Sequence, residues 1–331
     1  MGKRLLHGPA FESAARSDST GCRLAKMAGL RRAGWLLLGC LLAFGHTPSS
    51  AKLAIDQFGR HVRVPDRPQR IVAMAPSITE IIFALGLSDR LVGATQFSDY
   101  PPAAEELPKV GSYVHLDVEK IVALRPDLCI AVKDGNPISV VRKLETVGIP
   151  VYAVDPRDLN AVMDTLLELG RLLDVHARAE AIVGAMTDRI QRVRQQVACA
   201  DQTPGVFFQI GISPIVSVGT PTFIHELIIM SGGTNLAQGA TPYPRFSKEQ
   251  VIGLWPDVMI ITSMARAAVF DQVKAEWQQW PELPAVMNRR IYLVDSNVFD
   301  RASPRLVEGL EMLARLIHPH CFPDHHLEAQ P

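Results

Sequence analysis

Apolar positions along this chain alternate between two periods. Residues 70–74, Arg-Ile-Val-Ala-Met, form a short continuous apolar run that Pro76 stops, the pattern of a buried strand. Ser77, with Glu80 three residues on, reads as a capping box that opens a helix over 81–85, closed by Gly86. The two patterns recur. Strands are predicted at 91–95, 128–132 and 151–154, and helices at 117–124 and 140–147, ended by Pro126 and Gly148.

From 158 to 199 the strand pattern disappears. Leu159, Val162, Met163, Leu166, Leu167, Leu169 and Leu173 mark one amphipathic helix. Ile182, Val183, Met186, Ile190, Val193 and Val197 mark a second, preceded by Asp174. The second would run about 24 residues, on the order of 36 Å. After Pro204 strands return at 206–210, 258–262 and 290–294, with helices at 223–230 and 304–317. The expected fold is α/β: two lobes with mainly parallel sheets, joined by a single long α-helix too stiff for a wide hinge swing. The expected boundaries are an N-terminal lobe at 52–157, a helical connection at 158–199, a C-terminal lobe at 200–320 and a polar tail at 321–331.

One segment occurs twice. Glu119-Lys-Ile-Val-Ala-Leu-Arg-Pro126-Asp127-Leu-Cys-Ile130 returns as Glu249-Gln-Val-Ile-Gly-Leu-Trp-Pro256-Asp257-Val-Met-Ile260, and Tyr113 and Tyr243 precede the two glutamates at the same distance. A repeat this long predicts two lobes on one plan rather than a solenoid. A weaker echo links Thr79-Glu80 and Gly86 with His225-Glu226 and Gly232. Asp117 and Ser247 are good N-caps, which puts Glu119 and Glu249 in first helical turns, where a carboxylate gains about 0.3–1 kcal/mol from the helix dipole. Capping alone would explain either glutamate; retention of both in one frame leaves room for a shared task. Tyr113 and Tyr243 lie in loops that an α/β sheet presents to its ligand crevice, where paired rings could sandwich a flat ligand. The plainer alternative is a ring packed over its own loop.

The N-terminus has the character of an export leader. Arg31 and Arg32 precede an apolar run over 33–44, and Ser49 and Ala51 occupy the small positions of a cleavage site, so 1–51 is set apart as a signal region. Residues 1–26 are long and polar for such a leader, and Met27 would open one of ordinary length. Leu37-Leu38-Gly39-Cys40 also resembles a lipoprotein box, which makes a lipid anchor at Cys40 the alternative to a soluble periplasmic product. Positions 1–51 hold seven of the 34 Lys and Arg and two of the 34 Asp and Glu, leaving the remainder acidic by about five charges. An acidic remainder disfavours nucleic acid as a partner. Cys129, Cys199 and Cys321 remain; Cys129 reads as a core residue, and a Cys199–Cys321 bridge is possible but not required.

No Gly-x-Gly-x-x-Gly turn, Walker loop or Gly-x-Ser-x-Gly elbow is present, and the chain is not expected to be an enzyme. His115 and His225 are candidates for a cleft metal, and His318, His320, His325 and His326 form a tail cluster, but no ligand spacing supports either. No metal and no cofactor are expected. An exported metal chaperone and an exported acid–base enzyme stay as remote alternatives.

Ala75-Pro76-Ser77-Ile-Thr79-Glu80, Ser98-Asp99-Tyr-Pro-Pro102, the two Glu…Pro-Asp segments and Arg301-Ala-Ser303-Pro304-Arg305 together resemble the periplasmic substrate-binding proteins of iron-chelate and vitamin B12 importers. The resemblance covers nearly all of 53–318. It implies two Rossmann-like lobes, a free monomer, and delivery of a ligand to an ABC permease dimer. It also implies that Glu119 and Glu249 dock on the permease. The cobalamin-binding branch is the most similar, which implies a corrinoid ligand held by Phe97, Tyr113 and Tyr243. Asn297 and Arg301 lie before the last helix; Arg301 would meet a phosphate or amide oxygen, and Ser77 joins the ligand set. Tyrosines stand where branch members carry tryptophan, Asn297 where an acid occurs and Ile210 where an aromatic does, so cobinamide, haem or a ferric siderophore are the alternatives. Haem-binding relatives place the loop tyrosine one residue earlier, at Ser112 here.

Overall fold

The computed structural model describes residues 51–263 and 268–322. The chain opens with an antiparallel hairpin, β1 (Ala51–Ile55) and β2 (His61–Pro65). Ala51, grouped with the leader by its sequence, already pairs with Pro65. The hairpin alternates exposed and covered positions, with Val62 and Val64 reaching the core.

The first lobe follows as β3 (Ile71–Ala73), α1 (Pro76–Ala84), β4 (Leu91–Gly93), α2 (Val118–Ala123), β5 (Leu128–Val132), α3 (Ile138–Thr146) and β6 (Val151–Val154). Its sheet runs β4-β3-β5-β6, all parallel. Every residue of β3 and β6 is buried, as expected of strands covered on both faces. Two helices come next, α4 (Leu159–Leu172) and α5 (His176–Val197).

The second lobe comprises β7 (Gly205–Gly211), β8 (Ile215–Ser217), α6 (Phe223–Met230), β9 (Thr234–Asn235), β10 (Arg245–Phe246), α7 (Lys248–Leu254), β11 (Val258–Ser263), α8 (Ala268–Trp277), α9 (Pro284–Met287), β12 (Ile291–Asp295), α10 (Ser296–Phe299) and α11 (Leu306–Ile317). Here β9, β7, β11 and β12 pair in parallel, whereas β8 joins β7 and β10 joins β8 antiparallel. The mainly parallel α/β architecture matches expectation; the hairpin and the antiparallel edge are additions.

The repeated segment has a structural half. Asp127 accepts from the amides of Gln69 (2.7 Å) and Arg70 (2.9 Å), and Asp257 accepts from the Gly205 amide (2.7 Å). Each aspartate thus pins the entry to the first parallel strand of its lobe. Arg125 (φ 46°) and Trp255 (φ 56°) end α2 and α7 in the left-handed conformation, just ahead of the prolines that forbid another turn.

The connection holds the two expected helices, of which α5 is the long one that links the lobes. Asp158 caps α4 by accepting from the Ala161 amide (2.7 Å), and Lys52 donates to the Leu172 carbonyl at its far end (2.7 Å). Asp174 does not cap α5: it adopts φ 63° in the turn between the helices and pairs with Arg67 at 3.1 Å. The long helix has 22 residues, about 33 Å. It starts beside α1, where Arg178 donates to the Ala84 carbonyl, and ends beside α11, where Arg189 grips Glu311 through two 2.9 Å bonds. A Cys199–Cys321 disulfide closes that end. One apolar core runs from Ile78 and Ile81 through Leu166, Met186 and Ile190 to Leu227 and Leu313, so the lobes share a continuous packed interior.

Candidate ligand-binding cleft

Segments that follow strands of the two lobes are joined by a buried ion network. Glu80 lies in the middle of α1; it is not the closing member of a capping box, because Ala75 is the N-cap and makes no side-chain cap bond. Its carboxylate instead meets the opposite lobe. Arg301 Nη1 donates to Glu80 Oε1 (2.8 Å), Ser303 Oγ donates to Glu80 Oε2 (2.5 Å), and Arg305 Nη1 lies 3.4 Å from Oε1. Arg301 also pairs with Asp99 (2.7 Å) and donates through Nη2 to the Phe97 carbonyl (2.9 Å) and Asn297 Oδ1 (2.7 Å). With 7% of its surface exposed, Arg301 is a tie between lobes rather than the free donor expected from its sequence. Asn297 is half-buried in the short helix α10 and orients that guanidinium.

The loop after β4 carries Phe97. Hydroxyls of Thr79, Thr95 and Ser98 form a buried chain at 2.9 and 3.0 Å, and Lys109 donates to the carbonyls of Ser98 (2.9 Å) and Ala104 (2.8 Å). The backbone is therefore fixed on both sides of Phe97, while its ring stays 44% exposed. Arg305 stacks its guanidinium 3.8 Å over the neighbouring Tyr100 ring. Ser77 is buried in the first turn of α1.

Tyr113 is positioned by two residues that its sequence context did not single out. Asn136 donates to the carbonyls of Tyr113 and Met74 (both 2.8 Å) and accepts from the Val132 amide (2.8 Å), joining the loop to the ends of β3 and β5. Gly135 supplies space: a Cβ there would come 2.3 Å from the Tyr113 ring, and its φ of 124° suits only glycine. The Asp134-Gly-Asn-Pro137 run was the available signal, since it reads as a turn at a strand's carboxyl end.

Tyr243 faces this loop from the second lobe. Its segment is tied to the edge of β8, where the Ser217 and Gly219 amides donate to the carbonyls of Pro244 (3.0 Å) and Pro242 (2.8 Å). The side chain is 57% exposed, yet its phenol has protein on several sides. Burial, then Asp134, Asp300 and Tyr113, raise its pKa. Tyr113 is thus among the groups that act on the Tyr243 phenol from the other lobe. Asp300 keeps an open face, but burial among protein walls pushes its carboxyl up to about 6, against the pull of Arg301 and with help from Asp295.

Glu119 and Glu249 are exposed and occupy the same second helical position of α2 and α7. The Ser247 hydroxyl, then the glutamate's own backbone amide, hold Glu249 below the usual carboxylate range. The caps are as expected: Asp117 accepts from Lys120 and Ser247 forms a full capping box with Gln250.

Among the described residues, His115 and His225 are not gathered with other ligating groups. His225 Nδ1 faces the Asn235 amide at 3.1 Å, and burial keeps its pKa low. His318 is 1% exposed, with Nε2 3.1 Å from the Gly232 carbonyl, so it belongs to the core rather than to a solvated tail. Among the described residues, the His, Cys and carboxylate set close enough to hold an ion is Cys199, His320 and Cys321, whose thiols are already joined. His325 and His326 lie outside the described residues. Burial pushes the Cys129 thiol up to about 12, as suits a core cysteine.

Known proteins share this architecture. A Periplasmic binding protein family model matches residues 71–298. An uncharacterized ABC transporter substrate-binding lipoprotein of Bacillus subtilis is 29% identical over 89% of this chain and 97% of its own length. A vitamin B12-binding protein of Vibrio parahaemolyticus is 32% identical over 73% of this chain and 86% of its own. The crystal structure of the periplasmic vitamin B12-binding protein of Vibrio cholerae superposes with a TM-score of 0.67 at 30% identity, covering 76% of this chain and 97% of that one. A periplasmic heme-binding protein from Pseudomonas aeruginosa gives 0.70 at 30% identity, covering 76% and 93%. The chain belongs to the periplasmic binding protein family.

Proposed function

We propose that the protein is the periplasmic solute-binding component of an ABC importer, and that it holds a corrinoid between its lobes. The observation that carries the reading is exposed aromatic surface on loops of both lobes, Phe97 and Tyr243, with the Phe97 backbone tied to the second lobe by Arg301. Exposed aromatic surface in a fixed backbone frame suits a flat macrocycle, which would gain from burial and ring contact. The likeness to vitamin B12-binding proteins supports the ligand class. Ligand contact falls to Phe97, Tyr113, Tyr243 and Ser77, with Asn297 and Arg301 setting the floor. Glu119 and Glu249 present one carboxylate per lobe to a permease dimer. The binding step needs no catalysis and no resident metal, and the free protein is a monomer.

Calorimetry and visible absorption with cyanocobalamin, cobinamide and haemin test the reading. One-to-one corrinoid binding, weakened at least about tenfold by Tyr113→Ala or Tyr243→Ala, is the expected result. Haemin binding without corrinoid binding would move the protein to the haem class, in line with the relative from Pseudomonas aeruginosa. Binding of neither would overturn the macrocycle reading.

A further inference from the structure

The β1–β2 hairpin has an outer face that the cleft does not use. Its alternation sends Val62 and Val64 into the core, so the residues between and beside them point outward. Leu53 is 64% exposed and Ile55 59%, and the strand register sets them directly opposite Arg63 and His61, which are exposed as well. Phe58 continues the apolar strip into the turn, also exposed, with the Lys133 ammonium 5.5 Å over its ring. Apolar residues scattered singly over a surface are ordinary; three adjoining ones on one short hairpin make a patch. Arg63 and His61 also line a groove of about 550 Å³ between the hairpin and the 148–151 segment that leads into β6. The acid in that groove, Glu145, is already held by Arg60 at 2.8 Å, and Arg60 also pairs with Asp56 at 2.7 Å. Among the described residues these two pairs are the ion pairs of the hairpin, and Arg63 takes part in neither.

We propose that this face of the hairpin rests on an anionic lipid surface, with Leu53, Ile55 and Phe58 entering the interface and Arg63 and His61 meeting lipid phosphates in the groove. Interfacial binding of this kind combines buried apolar area with attraction to anionic headgroups, and the hairpin supplies both on one side. The chain beyond position 51 is acidic by about five charges, so attraction to an anionic surface has to come from a local basic patch. Charge therefore favours lipid over an acceptor-poor apolar partner. The apolar run over 33–44 and Cys40 stand just before β1 in the sequence, so the hairpin is the first folded element that a chain retained through either would bring to a bilayer. The inference is independent of the ligand in the cleft. A carrier held loosely on the lipid surface would search for its permease in two dimensions rather than three.

Vesicle sedimentation tests it. The full chain carrying Cys40→Ser, so that no covalent lipid contributes, is recovered after export and mixed with vesicles of phosphatidylcholine alone or with equal parts of phosphatidylglycerol. The expected result is at least about fivefold more protein sedimenting with the anionic vesicles than with the neutral ones. Leu53→Ser with Ile55→Ser, and separately Arg63→Glu, should each return sedimentation to the neutral level in the same background, with the melting temperature unchanged because all three side chains are exposed. Equal sedimentation with both kinds of vesicle would overturn the proposal, as would a preference for anionic vesicles that neither substitution alters. A dimer that forms without vesicles and is lost in the Leu53→Ser, Ile55→Ser variant would assign the face to a second copy of the chain and overturn the lipid reading as well.

Discussion

Glu80 has a side chain only 2% exposed, and its partners come from a segment more than two hundred residues away. A charge in that position is tolerated because Arg301 and Ser303 meet both of its oxygens. Removing the charge leaves Arg301 buried with Asp99 as its remaining acid, and breaking a buried pair of this kind typically costs about 3–5 kcal/mol. Glu80→Gln keeps the shape and part of the hydrogen bonding, so a loss of about 3 kcal/mol is expected, read as a lower urea midpoint with unchanged slope. Ligand affinity should fall with it, because Arg301 also holds the Phe97 carbonyl. An unchanged midpoint would show that the tie is not a source of stability. Asp300 predicts the opposite sign. Its folded value of about 6 lies above the ordinary aspartate value, so the folded protein binds that proton more tightly than the unfolded chain. Its contribution therefore grows as pH falls from neutral toward 4, and the ionised form is a cost at neutral pH. Asp300→Asn should raise the melting temperature at about pH 7.5 and leave it unchanged near pH 4; a loss at neutral pH would assign Asp300 a stabilising ionic role instead.

At the scale of elements, the Cys199–Cys321 bridge joins the end of α5 to the turn after α11, across a separation of 122 residues. A covalent tie of that span chiefly restricts the unfolded chain, and removing one typically costs about 2–4 kcal/mol. Cys199→Ser with Cys321→Ser is expected to lower the urea midpoint accordingly, and reductant should bring the unmodified protein to the same value. Identical midpoints in all three cases would show that α11 is held by packing alone. The cysteines illustrate what a sequence can and cannot carry. Strands and helices announced themselves because their periods are local: α6 has the expected limits, and α4 and β11 fall within a residue of theirs. Pairings over long separations have no local period. Ser77-x-x-Glu80 looked like a cap because a carboxylate three residues after a serine fits one, while the arginine that claims it lies in another lobe. The hairpin β1–β2 has a local signal, since Asp56 accepts from the Phe58 and Arg60 amides and Gly59 turns the chain at φ 72°, but its strands are short and half-exposed. The echo between Glu80 and Glu226 was legible and has a structural meaning: Glu226 of α6 accepts from the Leu159 amide at the start of α4 (2.8 Å), so each glutamate reaches out of its own lobe.

For the molecule as a whole, the shared core, the helix pair and the floor network leave the two lobes little freedom to separate. A ligand held between the lobes would meet walls largely set in advance, and the spacing of surface features on the two lobes is set as well. Glu119 and Glu249 gain their meaning from that rigidity. Each is exposed at the second position of an equivalent helix, and the Pro-Asp half of the repeat, not the glutamate, does the structural pinning. Loss of either carboxylate from a solvated helix start should cost little stability. The Glu119→Ala and Glu249→Ala double variant is accordingly expected to keep its ligand affinity and to melt within a few degrees of the unmodified protein. Uptake of labelled ligand by cells dependent on this protein should nevertheless fall to background, with each single substitution intermediate, because a permease dimer would meet one carboxylate per lobe. Full uptake by the double variant would remove the glutamates from the docking surface. A parallel loss of ligand affinity would place them in the cleft instead, which their exposure at the helix starts argues against.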